Sequence, residues 1–377
     1  MKIGLVSPYS IAHGGGVQEI VLAMRAELAR RGHEAYVITP QPRGTHLEVE
    51  DHIIQIGTGT DFNWPVFHTT LQVSASLNDE IDEMLDKYDF DLLHFHEPWV
   101  PVIGRQILNR SRCANVATFH AALPDGIVSQ TFGQLVVPYT KPMLKNVDEL
   151  VATGEPATEY ICKLTERPVA IIPIGVDQNT YTPPKNFHDT RKAKKIFYVG
   201  RLENRKGAKY LVNAFKLLQA DHPDAELLIA GDGPDRAKLE MLAQDIEAKN
   251  VHFLGYISNE AKAKYLRTSD LFCAPALYGE GFGLVLLEAM ASGCVTVAGD
   301  NPGYASVMEG LGALSLVNPK HSAEFARRLE LMLYEPSLRK LWREWAATEM
   351  PQYHYERIMD QYEDVYAEAR KNFAKRK

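Results

Sequence analysis

Glu280-Gly281-Phe282-Gly283-Leu284-Val285-Leu286-Leu287-Glu288 is the stretch on which the fold turns. An acid and two glycines lead into an apolar run, Leu284–Ala291, whose composition predicts a buried helix. Glycines at 281 and 283 remove side chains where a ligand approaches main chain, and the N–H groups of the next helical turn face an anion. Glu280 stands before that turn and Glu288 about one turn inside the helix. A phosphate at the helix start then has a carboxylate on either side, at about 5–6 Å per turn. Such a bracket suits a diphosphate with hydroxyl-rich groups at both ends, a sugar on one and a ribose on the other. That is the footprint of a sugar nucleotide. The plainer reading is a Gly-rich turn before a core helix, with incidental surface acids.

Outward from this stretch the chain alternates strands with helices. A strand at 195–199 runs into Gly200-Arg201-Leu202-Glu203-Asn204-Arg205-Lys206-Gly207, and a helix starts at Ala208. Strands at 226–230, 251–254 and 271–275 follow, with helices between them, and strands at 294–298 and 314–317 finish the set. This is a doubly wound parallel sheet. Ligands lie at the carboxyl edge of such sheets. Arg201 and Lys206 both follow the first strand, which puts two cations there. A diphosphate leaving group gains negative charge as its bond to a sugar breaks, so fixed cations and helix N–H groups lower that barrier without a metal. Either cation alone reads as an ordinary surface residue.

The N-terminal half repeats the pattern. A strand at 2–7, the loop His13-Gly14-Gly15-Gly16, a helix carrying Val17, Ile20, Val21, Met24 and Leu28, and a strand at 35–39 form a βαβ start. A dinucleotide fingerprint fails twice: Glu19 stands at one third-glycine position and Arg236, after Gly231 and Gly233, at the other. Residues 40–70 read as irregular. The helix at 77–88 exposes Asp79, Glu80, Asp82, Glu83 and Asp86. Asp89-Phe90-Asp91 matches a metal-holding DxD pattern, but reads as acids at a helix-to-strand turn. His94 and His96 lie on one face of a strand with no third ligand at a supporting distance, so a structural role is expected. The strand at 116–120 ends in His120, at the edge where ligands lie. Strands at 150–153 and 170–173 complete this sheet. A polar, Pro-bearing linker places the domain boundary near residue 180. The closing basic residues, Arg370 to Lys377, read as a frayed, solvated tail.

Composition sets the outer bounds. A chain of 377 residues suits two domains. Hydrophobic content of 45% and charged content of 24% are those of a globular protein. A net charge of −7 argues against a nucleic-acid partner. The direct start into a strand predicts no signal peptide, and there is no apolar run of the length, about 18 residues, that spans a membrane. Cys113, Cys162, Cys273 and Cys294 lie far apart, which predicts reduced core thiols in a cytoplasmic protein.

Taken together, Pro8-Tyr9-Ser10, Gly15-Gly16-Val17-Gln18, His94-Phe95-His96-Glu97-Pro98, Ala117-Thr118-Phe119-His120, Gly200-Arg201 with Arg205-Lys206-Gly207, and the stretch 279–290 cover nearly the whole chain. As a set they resemble the retaining glycosyltransferases of family four, with the two-domain GT-B architecture. The resemblance implies two Rossmann-like doubly wound domains facing a cleft. Residues 1–180 would form the acceptor-side domain, 181–354 the sugar-nucleotide domain, and the helix from residue 355 to 377 would cross back to the first. It implies a hexose, mannose from GDP-mannose foremost, moved to a hydroxyl acceptor such as an inositol lipid or other glycolipid head group. A UDP-sugar with a soluble acceptor, a sugar-nucleotide epimerase and a non-catalytic sugar-nucleotide binder are the alternatives. Retention of His120 and both glutamates speaks against the binder.

By the same resemblance Arg201 and Lys206 hold the donor diphosphate, with Gly15, Gly16, Gly281, Phe282, Gly283 and Leu284 around it. Glu280 meets the transferred sugar and Glu288 the ribose. His120 stabilises charge in the transition state. No metal or other cofactor is required. Tyr9, Gln18 and Asn63 would meet the acceptor. Members acting on the inositol head group carry a basic stretch after the position of Asn63, a basic amphipathic helix, and a lysine soon after the catalytic histidine. Here the stretch is Asn63-Trp64-Pro65-Val66-Phe67-His68, the helix is acidic, and Pro124-Asp125 stand in the lysine's region. Weak attachment at the inner face of the membrane is therefore the most that is expected of a cytoplasmic enzyme.

Overall fold

Strand, loop, helix, strand is the recurring unit of this chain, and it builds two separate sheets. The computed structural model describes residues 1–12, 15–41, 51–64, 69–120, 137–182 and 194–376. His13, Gly14, Pro65-Val66-Phe67-His68, Pro124-Asp125, the linker at 183–193 and Lys377 lie outside the described residues, as does the side chain of Asn63. One compact unit comprises Met1–Gly175 with Tyr355–Lys377, the other Val176–His354.

The first unit has eight strands: β1 (Lys2–Val6), β2 (Glu34–Gln41), β3 (Ile53–Trp64), β4 (Thr69–Ala75), β5 (Leu92–His96), β6 (Ala114–Phe119), β7 (Glu149–Ala152) and β8 (Ala170–Ile171). Their order is β4-β3-β2-β1-β5-β6-β7-β8, parallel except for the β3–β4 pair. β5 and β6 are buried along their whole length, as strands covered on both faces must be. The helix Gly16–Arg30 turns Ile20, Val21, Met24 and Leu28 inward, at about 1.5–3 kcal/mol for each buried side chain. Because β1 pairs with both β2 and β5, the winding reverses there, and the crevice outside the carboxyl ends of β1 and β5 is the expected ligand position.

Within the segment 40–70, expected to be irregular, the described residues 53–64 and 69–70 are strand; residues 42–50 and 65–68 lie outside the described residues. β3 and β4 form an antiparallel hairpin, Thr58 opposite Ala75 through Trp64 opposite Thr69. Apolar residues alternate in short stretches, Ile54-Gln55-Ile56 and Leu71-Gln72-Val73-Ser74-Ala75, but Gly57-Thr58-Gly59-Thr60 interrupts the pattern in β3 and weakens the period-2 signal. The basic C-terminus is solvated as expected at Arg370, Lys371 and Lys375, but it is helical and not frayed. The helix Tyr355–Arg376 buries Ile358, Met359, Tyr362, Tyr366 and Ala369 on the first unit. It is held at one end by Arg31, paired with Asp360 at 2.7 Å and Glu363 at 3.1 Å. At the other end, Arg376 donates to the Lys145 carbonyl at 2.8 Å and pairs with Asp148 at 3.3 Å. The tail stays helical because its last arginine has fixed partners.

The second unit carries β9 (Lys195–Val199), β10 (Glu226–Ala230), β11 (Val251–Gly255), β12 (Leu271–Ala274), β13 (Val295–Gly299) and β14 (Leu316–Val317). They lie in the order β11-β10-β9-β12-β13-β14, all parallel, with the reversal between β9 and β12. Two glycines explain how the loops at this reversal sit so close. A Cβ on Gly231 (φ +119) would lie 2.0 Å from the Gly200 carbonyl oxygen, and one on Gly303 1.9 Å from the backbone carbonyl oxygen of Glu280. The Gly231-Asp232-Gly233 motif therefore serves the packing of the loop that carries Arg201. Cys113, Cys273 and Cys294 are buried as expected, but Cys162 is exposed at the end of the helix Glu155–Cys162. Among the described residues no helix is long and apolar enough to cross a membrane.

Candidate functional site

In the second unit, the loop after β9 and the loop after β12 run side by side at the reversal, joined where Leu277 N–H donates to the Arg205 carbonyl at 2.8 Å. A single 3₁₀ turn, Asn204–Lys206, aims two cations at Glu280. Lys206 Nζ donates to Glu280 Oε1 at 2.8 Å and Arg205 Nη1 to the same oxygen at 2.9 Å. Arg205 Nε also meets Glu203 Oε1 at 2.6 Å, and Arg201 Nε lies 3.5 Å from Glu203 Oε2. Burial acts to raise the pKa of Glu280, but Lys206 and Arg205 outweigh it and hold the carboxyl below its usual range. Burial works against the charge on Arg205, yet Glu280 and Glu203 keep its pKa above the ordinary value. The phenols of Tyr198 and Tyr304 are pushed up by burial, with the Glu280 charge adding to it. Arg201 is 42% exposed against 20% for Arg205 and 23% for Lys206, so it is the cation presented furthest outward. The structure thus brings together Arg201, Lys206 and Glu280 and adds Glu203 and Arg205, which sequence reasoning had given no role. The alternation Arg201, Glu203, Arg205 was the available signal.

The helix Leu284–Ala291 starts at Gly283 (φ +140), with Phe282 buried edge-on to Tyr353 at 6.0 Å and Leu284 half-buried. Glu288 is no incidental surface acid. It is buried, and its Oε1 accepts from Lys262 Nζ and from Tyr181 Oη, each at 2.7 Å. Tyr181 closes the short helix Gln178–Tyr181, which Asp177 caps by accepting from Asn179 N–H at 3.0 Å. Lys262 belongs to the helix Asn259–Thr268, capped by Ser258. Both partners were missed. A lysine at helical spacing from Leu266, on the buried face, is a sign that a carboxylate waits inside.

In the first unit, β1, β5 and β6 end together. His120 follows β6, with its backbone N–H donating to Glu97 Oε1 at 2.7 Å; the Trp99 indole N–H donates to Glu97 Oε2. His96 Nδ1 and His120 Nε2 are hydrogen-bonded at 2.9 Å. Tyr9 is half-buried, and burial, with the nearby Glu97 charge, pushes its phenol up. Gln18 lies over Gly15, where a Cβ would come within 2.5 Å of its Oε1, while a Cβ on Gly16 would meet nothing within 4 Å. Main chain can therefore be approached at Gly16. Asp91 Oδ2 accepts from Lys2 N–H at 2.7 Å, in keeping with a turn acid. Among the described residues no three His, Cys, Asp or Glu side chains gather as a metal site.

Burial holds His94 down to about 3, with His120 adding to the effect. His120 is likewise depressed to about 3 by burial. Burial, with the neighbouring rings, takes His96 well below its usual value. An unfolded histidine titrates near 6.5, so below that pH the unfolded chain binds protons that the folded one refuses. Their stabilising contribution is present above about pH 6.5 and is lost as pH falls towards about 3. Between pH 6.5 and 5, above the range of the carboxylates, stability should fall by up to about 4 kcal/mol per pH unit, the slope for three protons. Urea midpoints across that window check it; a flat profile contradicts the neutral stack.

Residues 14–180 match the family model of glycosyltransferase family 4, and residues 183–349 that of glycosyl transferases, group 1. The phosphatidyl-myo-inositol mannosyltransferase of Mycolicibacterium smegmatis is 30% identical over 368 residues, covering 97% of this chain and 93% of its own. The protein of that description from Propionibacterium freudenreichii is 30% identical over 387 residues, covering 99% and 97%. Among solved structures, Anabaena HepE in complex with UDP-glucose superposes with a TM-score of 0.76 at 19% identity, over 97% of this chain and 99% of that one.

Proposed function

The chain belongs to the GT-B glycosyltransferases of group 1 and family 4, and from that premise we propose that it transfers mannose from GDP-mannose to a hydroxyl acceptor with retention of configuration. One observation carries the donor half: Lys206 and Arg205 converge on Glu280 at the carboxyl edge of the second sheet. There Arg201 and Lys206 hold the diphosphate beside the start of the helix Leu284–Ala291, Glu280 binds a hydroxyl of the transferred sugar, and Glu288 binds the ribose. Gly15, Gly16, Gly281, Phe282, Gly283 and Leu284 supply close main chain. His120 meets the transferred sugar; Tyr9, Gln18 and Asn63 meet the acceptor. As the bond from sugar C1 to phosphate oxygen breaks, the acceptor oxygen bonds C1 on the same face, and its proton passes to the leaving phosphate. The cations and helix N–H groups stabilise the charge that develops, so no divalent metal is required.

The relatives' names point to an inositol lipid acceptor, and an enzyme acting on one would work as a cytoplasmic protein at the surface of a membrane. The acidic helix Asn78–Tyr88 favours a second reading, an acceptor free of an anionic surface, because each Lys or Arg near such a surface is worth about 1 kcal/mol and acids are repelled. Product analysis decides both. Purified protein with excess EDTA is given GDP-mannose, UDP-glucose, UDP-galactose or UDP-N-acetylglucosamine, and either phosphatidylinositol vesicles or free inositol. GDP-mannose turnover should survive the chelator. Activity that returns only with Mn²⁺, or a free altered sugar without acceptor, defeats the proposal.

The two glutamates should fail differently. Glu288→Gln weakens binding of bare nucleoside diphosphate by about 1.5–3 kcal/mol, the worth of a charged hydrogen bond. Glu280→Gln leaves that binding nearly intact and lowers turnover. Calorimetry showing equal losses for the bare nucleotide removes the assignment.

A further inference from the structure

Three histidine rings lie in series under the carboxyl edge of the first sheet. His96 and His120 are nearly parallel, at 15° with centroids 5.2 Å apart, and their facing nitrogens, His96 Nδ1 and His120 Nε2, are 2.9 Å apart. His94 stacks on the other side of His96 at 4.3 Å. It is held at both nitrogens, Nδ1 by the Tyr366 hydroxyl at 2.9 Å and Nε2 by Thr118 Oγ1 at 2.7 Å. The remaining nitrogens, His96 Nε2 and His120 Nδ1, are buried and meet no hydrogen-bond partner among the described residues. Burial keeps all three rings neutral.

A hydrogen bond between two neutral imidazoles contains one N–H and one lone pair, so only two arrangements exist. In one, His120 donates from Nε2, and His96 must then carry its own proton on Nε2, in a ring 2% exposed with no acceptor beside it. In the other, His96 donates from Nδ1, and the second N–H of the pair falls on His120 Nδ1. A buried orphan N–H is rarer than a buried orphan lone pair. Each arrangement leaves one N–H and one lone pair without a partner among the described residues. The second puts the N–H on His120, the more exposed ring at 8% against 2%, at the strand end where a ligand oxygen can accept it, and leaves His96 with a lone pair alone.

We propose that His96 is a positioning residue: its Nδ1–H donates to His120 Nε2 and fixes His120 as the Nδ1–H tautomer, a neutral hydrogen-bond donor to an oxygen of the transferred sugar and not a base. The contact with sugar rests on the role proposed above for His120; the tautomer does not.

The test uses the full chain labelled with ¹⁵N-histidine, in long-range ¹H–¹⁵N correlation spectra assigned against His120→Ala. His120 should show a pyrrole-like Nδ1 and a pyridine-like Nε2; the reverse pattern overturns the proposal. His96→Phe, which keeps a ring but no donor, should lower kcat by about 10-fold or more with donor KM within about twofold. His96→Asn, whose amide nitrogen takes the place of Nδ1, should restore most of that loss. Unchanged kcat in His96→Phe, or His96→Asn as slow as His96→Phe, overturns it. Should His96→Phe not fold, the wild-type spectrum and His96→Asn decide. A fully active His120→Ala would remove the sugar contact alone and leave the tautomer result standing.

Discussion

His120→Ala lowers turnover by about 10²–10³-fold, or about 2.7–4 kcal/mol, the range for loss of one preorganised donor at a developing charge. Donor affinity stays within about threefold, because the diphosphate is assigned to Arg201 and Lys206 of the second unit. The fold should survive. The bond from residue 120 to Glu97 is made by backbone N–H and is kept in alanine. What is lost is the ring bonded to His96, and an orphaned buried group costs about 1–3 kcal/mol. Product formation gives kcat, calorimetry the donor Kd, and thermal unfolding the control. Near-normal turnover returns His120 to a structural role.

Lys262→Met destabilises the protein by about 3–5 kcal/mol, since removing one partner of a buried ion pair strands the other charge in low dielectric. The pair is well buried: Glu288 is 2% and Lys262 9% exposed, with 2.7 Å between Nζ and Oε1. Met matches the lysine stem in length, so the loss reports the charge and not the packing. The Tyr181 hydroxyl stays on the same oxygen and softens the loss without replacing a cation. Lys262→Met with Glu288→Leu should recover more than half of the stability, because an apolar pair of similar volume replaces an ion pair at little cost. Urea unfolding of the two single variants and the double variant measures it. A loss below about 1 kcal/mol, the size of an exposed pair, or a double variant no more stable than Lys262→Met, contradicts the buried pair.

The period of apolar residues is a local property, and it carried the architecture. The runs at 92–96, 116–120, 195–199 and 271–275 became parallel strands, and the strand ends delivered His120, Arg201, Lys206 and Glu280 to carboxyl edges. The antiparallel pair Ile53–Trp64 with Thr69–Ala75 escaped because Gly57-Thr58-Gly59-Thr60 breaks the apolar alternation that Ile54-Gln55-Ile56 begins and Leu71-Gln72-Val73 repeats. Partnership was not legible. Glu288 meets Tyr181 across 107 residues and Lys262 across 26, and His94 meets Tyr366 across 272. No spacing rule links positions so far apart, because such pairs form only where the winding of the sheet and the docking of a helix bring two buried polar groups within 3 Å. The sequence by itself determined which side chains reach the ends of the strands. Only the tertiary structure decided which of them share a proton or a charge, since a buried polar group takes whatever partner the packing leaves beside it.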